Sequence, residues 1–247
     1  SYNRKKDWAG DRMLKRFSVE NFKGFQDKIT FDIGSPCNYS FNSEIIENGC
    51  VTKGIIYGIN SSGKSNLGLA IFDIITHLTD KQKLLSSYEF YLNMSGRKSF
   101  AEFEYDFLFG EHEVVYRYSK NDVNTLKSES LSIDGKEVIF FDFFTRDGFT
   151  LLEGSNTLNA SIKNESPISR VKYVNSNSIL VDNEQNQVFK KFIDFVDRML
   201  LFYSLDSRGY EGFMNGSESI AEGIVNSGKV QEFQDFLKEN DIDYELY

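Results

Sequence analysis

Residues 58–65 read Gly58-Ile59-Asn60-Ser61-Ser62-Gly63-Lys64-Ser65 and match the order G-x-x-x-x-G-K-S at every defined position. The two glycines permit backbone angles and close approaches that a Cβ would block, so that consecutive N–H groups can point at an anion. Lys64 can reach the β and γ phosphates, and Ser65 can offer its hydroxyl to Mg²⁺. The stretch therefore predicts a site for a nucleoside triphosphate with Mg²⁺.

The residues on either side of this loop predict a strand before it and a helix after it. The apolar run Gly54–Tyr57 is typical of a buried strand that feeds a tight turn. After Ser65, apolar residues recur at spacings of three and four, which predicts a helix with one buried face; they are Leu67, Ile71, Ile74, Ile75 and Leu78. This strand-to-helix setting is the context expected of a phosphate-binding loop.

Further strands are predicted before and after the loop. Two precede it, within Leu14–Glu20 and Lys28–Ile33. Residues 100–152 alternate apolar and polar side chains between turn signals such as Asp134-Gly135, which predicts an antiparallel β-meander. Helical periodicity returns from Val188 to Leu200 and again over residues 229–240.

Composition limits the classes of partner. The formal net charge of -9 argues against a surface that coats nucleic acid through bulk electrostatics, although local basic patches remain compatible with it. The aromatic residues, 15% of the chain, fall mostly in strand patterns and are expected in the core. Cys37 and Cys50 are read as free thiols. No run approaches the roughly 20 apolar residues of a membrane helix, so a cytoplasmic protein without membrane contact is expected.

The class of phosphate-binding loop is narrowed by its position and by missing motifs. Two predicted strands precede the loop, whereas small GTPases and nucleotide kinases usually place it after their first strand. No Asn-Lys-x-Asp segment that would read guanine occurs, and no arginine-rich lid follows the first predicted helix. Both classes are therefore disfavoured.

Two motifs together resemble a known family. The first is the segment 17–25, Phe-Ser-Val-Glu-Asn-Phe-Lys-Gly-Phe, which is similar to the opening strand and the N-F-K/R-G/S-F turn of one group of proteins. The second is the segment 58–67, which continues the loop into Asn66-Leu67 and is similar to the G-x-N-x-x-G-K-S-N-L loop of the same group. That group is the ABC-type ATPases of SMC, RecF and OLD type, especially the bacterial AAA family ATPases associated with phage defence. The resemblance spans most of Met13–Tyr247.

The resemblance implies a fold, a ligand and a set of contacts. The fold is an α/β P-loop NTPase of ABC-ATPase type, with a mixed sheet, an antiparallel β-meander subdomain and helices. The ligand is ATP with Mg²⁺, and Ser65 binds the metal. Lys23 lies near the nucleotide, although a solvated turn residue is an alternative role for it. The nucleotide-binding set is then Gly58, Ile59, Asn60, Ser61, Ser62, Gly63, Lys64, Ser65, Asn66 and Lys23.

The sequence also departs from that family. A Walker B acidic pair, a signature segment and a switch histidine are not recognisable, so the catalytic residues stay unknown. Ile139–Asp142 and Ile179–Asp182 superficially resemble Walker B runs but read as ordinary strands. Three glutamines are equal candidates for sensing Mg²⁺, namely Gln82, Gln185 and Gln187. Neither of the two histidines, His77 and His112, has neighbours in the sequence that suggest catalysis.

The expected organisation has four parts. Residues 1–12 are a leader or an expression remnant, with an arm in which Arg4, Lys5, Lys6 and Arg12 meet a partner as the alternative. Residues 13–99 form an N-terminal ATPase lobe with the phosphate loop, residues 100–152 the β-meander, and residues 153–247 a helical part that ends before the signature and Walker B segments. Such a chain should bind ATP but hydrolyse it very slowly.

Three functions remain open. The first is an ATP-driven switch or sensor in phage defence, in which heads assemble as a homodimer or higher oligomer and control a nuclease or toxin. The second is a DNA-repair or DNA-maintenance ATPase of RecF or SMC type, which leaves DNA open as a partner. The third is a nucleotide-binding scaffold that does not hydrolyse ATP.

Overall fold

A computed structural model describes residues 12–36, 43–81, 85–157, 167–202, 210–211 and 224–239. The chain divides into two compact units, Ser1–Phe213 and Met214–Tyr247. Several sequence predictions fall outside the described residues: the leader up to residue 11, the thiol of Cys37, the glutamine Gln82 and the acidic tail beyond residue 239.

A seven-stranded sheet dominates the first unit, with the strand order β2-β1-β5-β6-β7-β8-β9. Its strands are β1 Arg12–Glu20, β2 Ile29–Asp32, β5 Ala101–Phe109, β6 His112–Lys120, β7 Leu126–Ile133, β8 Lys136–Asp142 and β9 Asp147–Thr150. Two small hairpins are formed by β3 Ile46–Glu47 with β4 Cys50–Val51, and by β10 Leu201–Phe202 with β11 Tyr210–Glu211. The two strands predicted before the loop and the hairpins predicted after residue 100 are all formed.

One face of the sheet is buried because apolar residues alternate along its strands. In β5, the odd-numbered residues from Ala101 to Phe109 are buried, whereas Glu102 and Glu104 point to the opposite face. The aromatic rings of neighbouring strands and helices pack on one another, for example Phe107 on Phe192 with centroids 5.4 Å apart. The expected use of aromatic residues in the core is confirmed for these strands.

In the part of this unit that the structure describes, the helices are α1 Lys64–Phe72, α2 Ile75–Leu78, α3 Arg170–Asn177 and α4 Glu184–Asp197. The starts of α3 and α4 are capped by side chains, because Ser169 accepts from the backbone N–H of Lys172 and Asn183 accepts from that of Asn186. Short 3₁₀ turns lie at Ser43–Ile45, Leu85–Tyr88 and Ser155–Thr157.

The single helix predicted from the loop to Leu78 is broken into α1 and α2. The backbone N–H of Asp73 donates to the carbonyl of Ala70, three residues back, at 3.2 Å, and that of Thr76 donates to the carbonyl of Asp73 at 3.0 Å. This tighter turn replaces the α-helical bonds at the junction. It brings the Asp73 side chain against the sheet, where the side chain is fully buried.

The prediction of a strand over Gly54–Tyr57 is wrong, so the phosphate loop has the helix expected after it but not the strand expected before it. Residues 53–58 form no secondary structure, and Ile55 and Tyr57 are each 91% exposed. A run that is apolar on both faces needs neighbours on both faces and at its edges. Beyond β2 the chain instead enters the hairpin β3–β4, where the N–H of Val51 donates to the carbonyl of Ile33 at 2.8 Å. Within the described ranges the large sheet is therefore antiparallel throughout, and not mixed as expected.

Arg12 also differs from its prediction as part of a leader. It is the first residue of β1, where it lies opposite Phe109, and its guanidinium forms an ion pair with Asp194 of α4. The strand therefore begins one residue before Met13.

The second unit contains the helix α5, Val230–Glu239, which confirms the helix predicted over residues 229–240. None of its residues is buried, and Phe236 is 54% exposed. The rings of Phe233 and Phe236 lie 6.3 Å apart along its apolar face. Among all the helices that the structure describes, none is long and apolar enough to cross a bilayer.

Candidate nucleotide site

The phosphate-loop sequence leads directly into the N-terminus of α1. Gly63 adopts a left-handed conformation with φ +94° and is followed at once by Lys64, the first residue of the helix. No side chain caps this N-terminus. The first N–H groups of a helix have no partner within the helix and attract anions, with the positive end of the helix dipole behind them.

The two motif glycines lie where the loop is most crowded. A Cβ on Gly63 would stand 3.0 Å from the ring of Phe25, and a Cβ on Gly58 would stand 3.0 Å from Oγ of Ser62. Ser61 adopts a left-handed φ of +65° between them. The backbone therefore turns sharply twice before α1, and a side chain at Gly63 would strain both the backbone and the packing of Phe25.

Lys64 folds back across the loop. Its ammonium donates to the carbonyl of Gly58 at 2.8 Å and to the carbonyl of Ile59 at 2.7 Å, and lies 3.4 Å from Oγ of Ser62. The positive charge thus sits against the loop that precedes the helix. An ammonium held there is suited to phosphate oxygens, which are charged acceptors and stronger than carbonyls.

The other predicted contacts lie on or beside this turn. Ser65 is exposed in the first turn of α1, Asn60 is exposed, and Ile59 is 83% exposed. Asn66 is half-buried. Within the described ranges, no cluster of three or more His, Cys, Asp or Glu side chains could hold a metal. A Mg²⁺ at this place fits a serine hydroxyl together with phosphate oxygens, the coordination that this ion commonly has beside nucleotides.

The second motif, Asn21–Phe25, packs directly on the first. Phe22 and Phe25 exchange backbone hydrogen bonds of 3.0 and 2.8 Å, and Asn21 and Lys23 have left-handed φ values of +56° and +47°. This tight turn brings Gly24 to the helix, where a Cβ would stand 3.0 Å from Nδ2 of Asn66. Together with the ring of Phe25 at Gly63, it joins two motifs that are far apart in the sequence.

Lys23 uses both of its nitrogens to hold a further segment, Glu89–Asn93. Its backbone N–H donates to the carbonyl of Tyr91 at 3.0 Å, and its ammonium donates to the carbonyl of Glu89 at 2.7 Å. In turn, Nδ2 of Asn93 donates a hydrogen bond to the carbonyl of Lys23 at 2.6 Å. Burial lowers the pKa of the Lys23 ammonium, and the nearby Glu89 carboxylate acts in the opposite direction.

The segment Glu89–Asn93 was not identified from the sequence as part of the site. The available signal was the group of aromatic residues Tyr88, Phe90 and Tyr91 in a stretch without periodicity. Tyr88 and Tyr91 are 3% and 5% exposed, and the hydroxyl of Tyr88 donates to the carbonyl of Leu69 in α1 at 3.4 Å. The segment is therefore bonded to the second motif through Lys23, and its neighbour Tyr88 is bonded to α1.

The far end of α1 contains a buried polar cluster that the sequence did not reveal. Lys120 of β6 donates to Asp73 Oδ2 at 2.9 Å and to Thr76 Oγ1 at 2.6 Å, and the hydroxyl of Tyr118 donates to Asp73 Oδ2 at 2.8 Å. The hydroxyl of Tyr105 donates to the carbonyl of Ala70 at 2.8 Å. The only signal was an aspartate within an apolar helical pattern.

The two runs that resemble Walker B segments have different structures. Ile139–Asp142 lies in β8, as expected, and Asp142 accepts from the backbone N–H groups of Phe144 and Thr145 at 2.8 Å each, which lowers the pKa of its carboxyl. Ile179–Asp182 is not a strand, in contrast to the prediction. It is a connection in front of α4, and Ile179 is 82% exposed.

Both histidines and Gln187 lie against partners within the fold. His77 is buried with Nε2 2.9 Å from the hydroxyl of Tyr116. The ring of His112 lies between Asp134 at 2.8 Å and Glu184 at 3.4 Å. Gln187 in α4 donates to Asp182 at 2.9 Å, and Gln185 is half-buried in the same helix. The role of a magnesium-sensing glutamine remains a prediction for both.

A groove of about 480 Å³ crosses the outer face of the sheet. Part of its charged lining forms ion pairs, because Arg117 donates to Glu104 at 2.7 Å and Lys28 lies 3.8 Å from the same carboxylate. Burial would raise the pKa of Glu104, but the hydrogen bond and charge of Arg117, together with the charges of Lys28 and Arg16, outweigh it, so that this pKa is lowered. No sequence motif points to this groove.

A scan against protein-family models finds no match for this chain, and a search of curated proteins finds none either.

Proposed function

We propose that this chain binds ATP with Mg²⁺ through the loop Gly58–Ser65, as the nucleotide-binding part of an ABC-type ATPase head. The observation that carries the proposal is the meeting of two motifs at the first turn of α1. The ring of Phe25 packs at Gly63, and Gly24 lies against Asn66. A loop that matches the phosphate-binding motif only by chance would not be expected to contact the second motif of the same family.

The residues of the site divide the work of binding in this proposal. The uncapped N-terminus of α1 and the ammonium of Lys64 bind the β and γ phosphates, and the ammonium exchanges its two carbonyl acceptors, Gly58 and Ile59, for phosphate oxygens. Ser65 supplies a hydroxyl to Mg²⁺, which neutralises charge on the phosphates when it is bound. Lys23, beside this turn, adds a second positive charge near the nucleotide.

Hydrolysis by these residues alone is expected to be very slow. Catalysis requires a group that positions the attacking water, and the two candidate aspartates are used elsewhere. Asp142 accepts two backbone N–H groups in the turn after β8, and Asp182 accepts from Gln187. We therefore assign this chain nucleotide binding, and we assign neither of these aspartates the role of the catalytic carboxylate.

The wider role rests on the resemblance of segments 17–25 and 58–67. We propose a cytoplasmic ATP-driven switch in bacterial phage defence, in which ATP binding assembles two or more heads and thereby controls a nuclease or toxin. The net charge of -9 favours this role over one that needs broad contact with DNA.

The test is the affinity of the purified chain for ATP, measured by calorimetry with Mg²⁺ and with a chelator. Wild type is expected to bind ATP only weakly without Mg²⁺, and Lys64→Ala is expected to abolish binding. Lys53→Ala is the matched control, because it removes one exposed positive charge from the same segment outside the motif. Wild type that fails to bind ATP, or Lys64→Ala with unchanged affinity, contradicts the nucleotide site.

The switch is tested separately, by light scattering of a longer protein that includes this chain. ATP is expected to increase its mass from one head to two or more, and Lys64→Ala is expected to prevent the increase. ATP-dependent binding of a DNA duplex without such assembly would favour the DNA-maintenance alternative instead.

A further inference from the structure

Phe90 combines two unfavourable features at one residue. Its backbone has a left-handed φ of +53°, and its side chain is 78% exposed. A bulky residue in this conformation is strained, and an exposed ring gains nothing from burial. Both neighbours in the aromatic group, Tyr88 and Tyr91, are buried, so Phe90 is the one ring of the three that faces solvent.

Hydrogen bonds on both sides of Phe90 hold its strained backbone in place. The carbonyls immediately before and after Phe90, those of Glu89 and Tyr91, both accept hydrogen bonds from Lys23. Tyr88 is fixed to α1 through the carbonyl of Leu69. Strained residues persist only where their surroundings determine the conformation, and they concentrate at functional sites.

These anchors place Phe90 beside the candidate nucleotide site. Lys23, which holds both flanking carbonyls, is followed by Gly24 at Asn66 and by Phe25 at Gly63. The exposed ring therefore belongs to a segment that is hydrogen-bonded to the turn packed on the first residues of α1. An aromatic face near a phosphate site can stack on the base of a bound nucleotide, and this contact needs no hydrogen-bonding group on the side chain.

We propose that Phe90 is a base-stacking residue, and that its ring packs on the nucleobase of the triphosphate bound by the loop Gly58–Ser65. This inference rests on the proposed function. It assigns the loop's neighbour Glu89–Asn93 the role of binding the base, whereas Lys64 and Ser65 bind the phosphates and metal.

The experiment compares two ligands that differ by the nucleoside, MgATP and magnesium tripolyphosphate, in calorimetric titrations. Phe90→Ala is expected to weaken ATP binding by about fivefold or more and to leave tripolyphosphate binding unchanged. Phe90→Trp is expected to retain ATP affinity, and its fluorescence is expected to change with ATP but not with tripolyphosphate. Phe90→Leu keeps an apolar side chain without a stacking face and should resemble Phe90→Ala.

The matched control is Phe144→Ala, which removes a phenylalanine that is 86% exposed in the turn after β8 and should bind both ligands like wild type. Wild type that binds neither ligand overturns the proposed function itself. Wild type that binds both ligands, with Phe90→Ala unchanged toward ATP, overturns the stacking role alone. Equal loss of both ligands in Phe90→Ala also overturns it, because the segment would then support the phosphate loop and not the base.

Discussion

Lys120 and Asp73 form an ion pair, with 2.9 Å between Nζ and Oδ2, in which both side chains are fully buried. Lys120 also donates to Thr76 Oγ1 and to the carbonyl of Val123, and Asp73 also accepts from the hydroxyl of Tyr118. A buried charge is costly unless it is paired and hydrogen-bonded. Here each charge lies against its counter-charge, and the hydrogen bonds to Asp73 converge on Oδ2.

The pair fixes the helix of the candidate site to the sheet. α1 begins at Lys64 in the phosphate loop and ends one residue before Asp73, while Lys120 ends β6. The loop is held at its near end by the turn with Phe25, and the helix is held at its far end by this ion pair. The position of the N-terminus of α1 therefore depends on contacts at both ends.

The first prediction concerns the loss of one partner of this pair. Asp73→Asn or Lys120→Met leaves the other group buried without its counter-charge, which is expected to destabilise the protein by about 3–5 kcal/mol. The measurement is the free energy of unfolding in urea. Lys172→Met, which breaks the more exposed pair with Asp80, is the control and is expected to cost about 1 kcal/mol or less.

The double variant Asp73→Asn with Lys120→Met distinguishes the contribution of the charges to stability from that of the hydrogen bonds. Removing both charges is expected to recover part of the loss, so that the double variant is more stable than the sum of the two single effects predicts. Full recovery is not expected, because Thr76 and the carbonyl of Val123 each lose the hydrogen bond that Lys120 donates. Strictly additive losses would contradict a direct charge interaction between Asp73 and Lys120.

Periodicity in the sequence predicted those elements whose burial repeats locally. The alternation from Phe103 to Phe109 and the helical spacing from Val188 onward each encode one buried face, and the structure has β5 and α4 there. The break at Asp73 could not be predicted this way. It depends on Lys120, which is distant in sequence and lies on another element.

In the segment Gly54–Tyr57, the apolar pattern alone predicted the wrong structure. Its apolar residues predicted a buried strand, yet a strand also requires neighbours whose positions are not encoded within it. Both motifs of the candidate site were recognisable because their glycines and lysine have narrow chemical uses. The segment Glu89–Asn93 was not, since Lys23 holds it through backbone carbonyls, which leave no mark on the sequence.

The second prediction concerns the pH dependence of stability near His112. The hydrogen bond to Asp134 raises the pKa of His112 above the ordinary value of 6.5, with burial acting in the opposite direction and the charge of Glu184 adding to the increase. A pKa raised on folding gives stability that is fully present below the unfolded value and is lost as pH rises through the folded value. The stabilisation should therefore decline above about pH 6.5.

His112→Gln removes this titration, and the comparison of melting temperatures between pH 5.5 and 8.5 checks it. Wild type is expected to exceed the variant most at the acidic end, with the difference shrinking as pH rises. High salt should reduce the difference at acidic pH, because the ring and its partners Asp134 and Glu184 are partly exposed. A difference that is constant with pH would mean that the charge of His112 does not contribute.

The third prediction concerns Gly63, whose conformation joins the two motifs. Gly63→Ala places a Cβ at φ +94° and 3.0 Å from the ring of Phe25. The left-handed conformation alone costs a non-glycine residue about 1–2 kcal/mol, and the ring must also move. The variant is therefore expected to be less stable and to bind MgATP about tenfold or more weakly, as measured by urea unfolding and calorimetry.

Substitutions at two other glycines distinguish the effect of the left-handed backbone from the effect of the contact with Phe25. Gly110 has φ +66° in the turn after β5 with nothing within 4 Å of its Cβ position, whereas Gly54 has open space and no left-handed φ. Gly110→Ala should lose stability but retain ATP affinity, and Gly54→Ala should retain both. Adding Phe25→Leu to Gly63→Ala gives the Cβ room and is expected to recover part of the lost affinity. If Gly63→Ala binds ATP like Gly110→Ala, the close packing of the two motifs is not required for the nucleotide site.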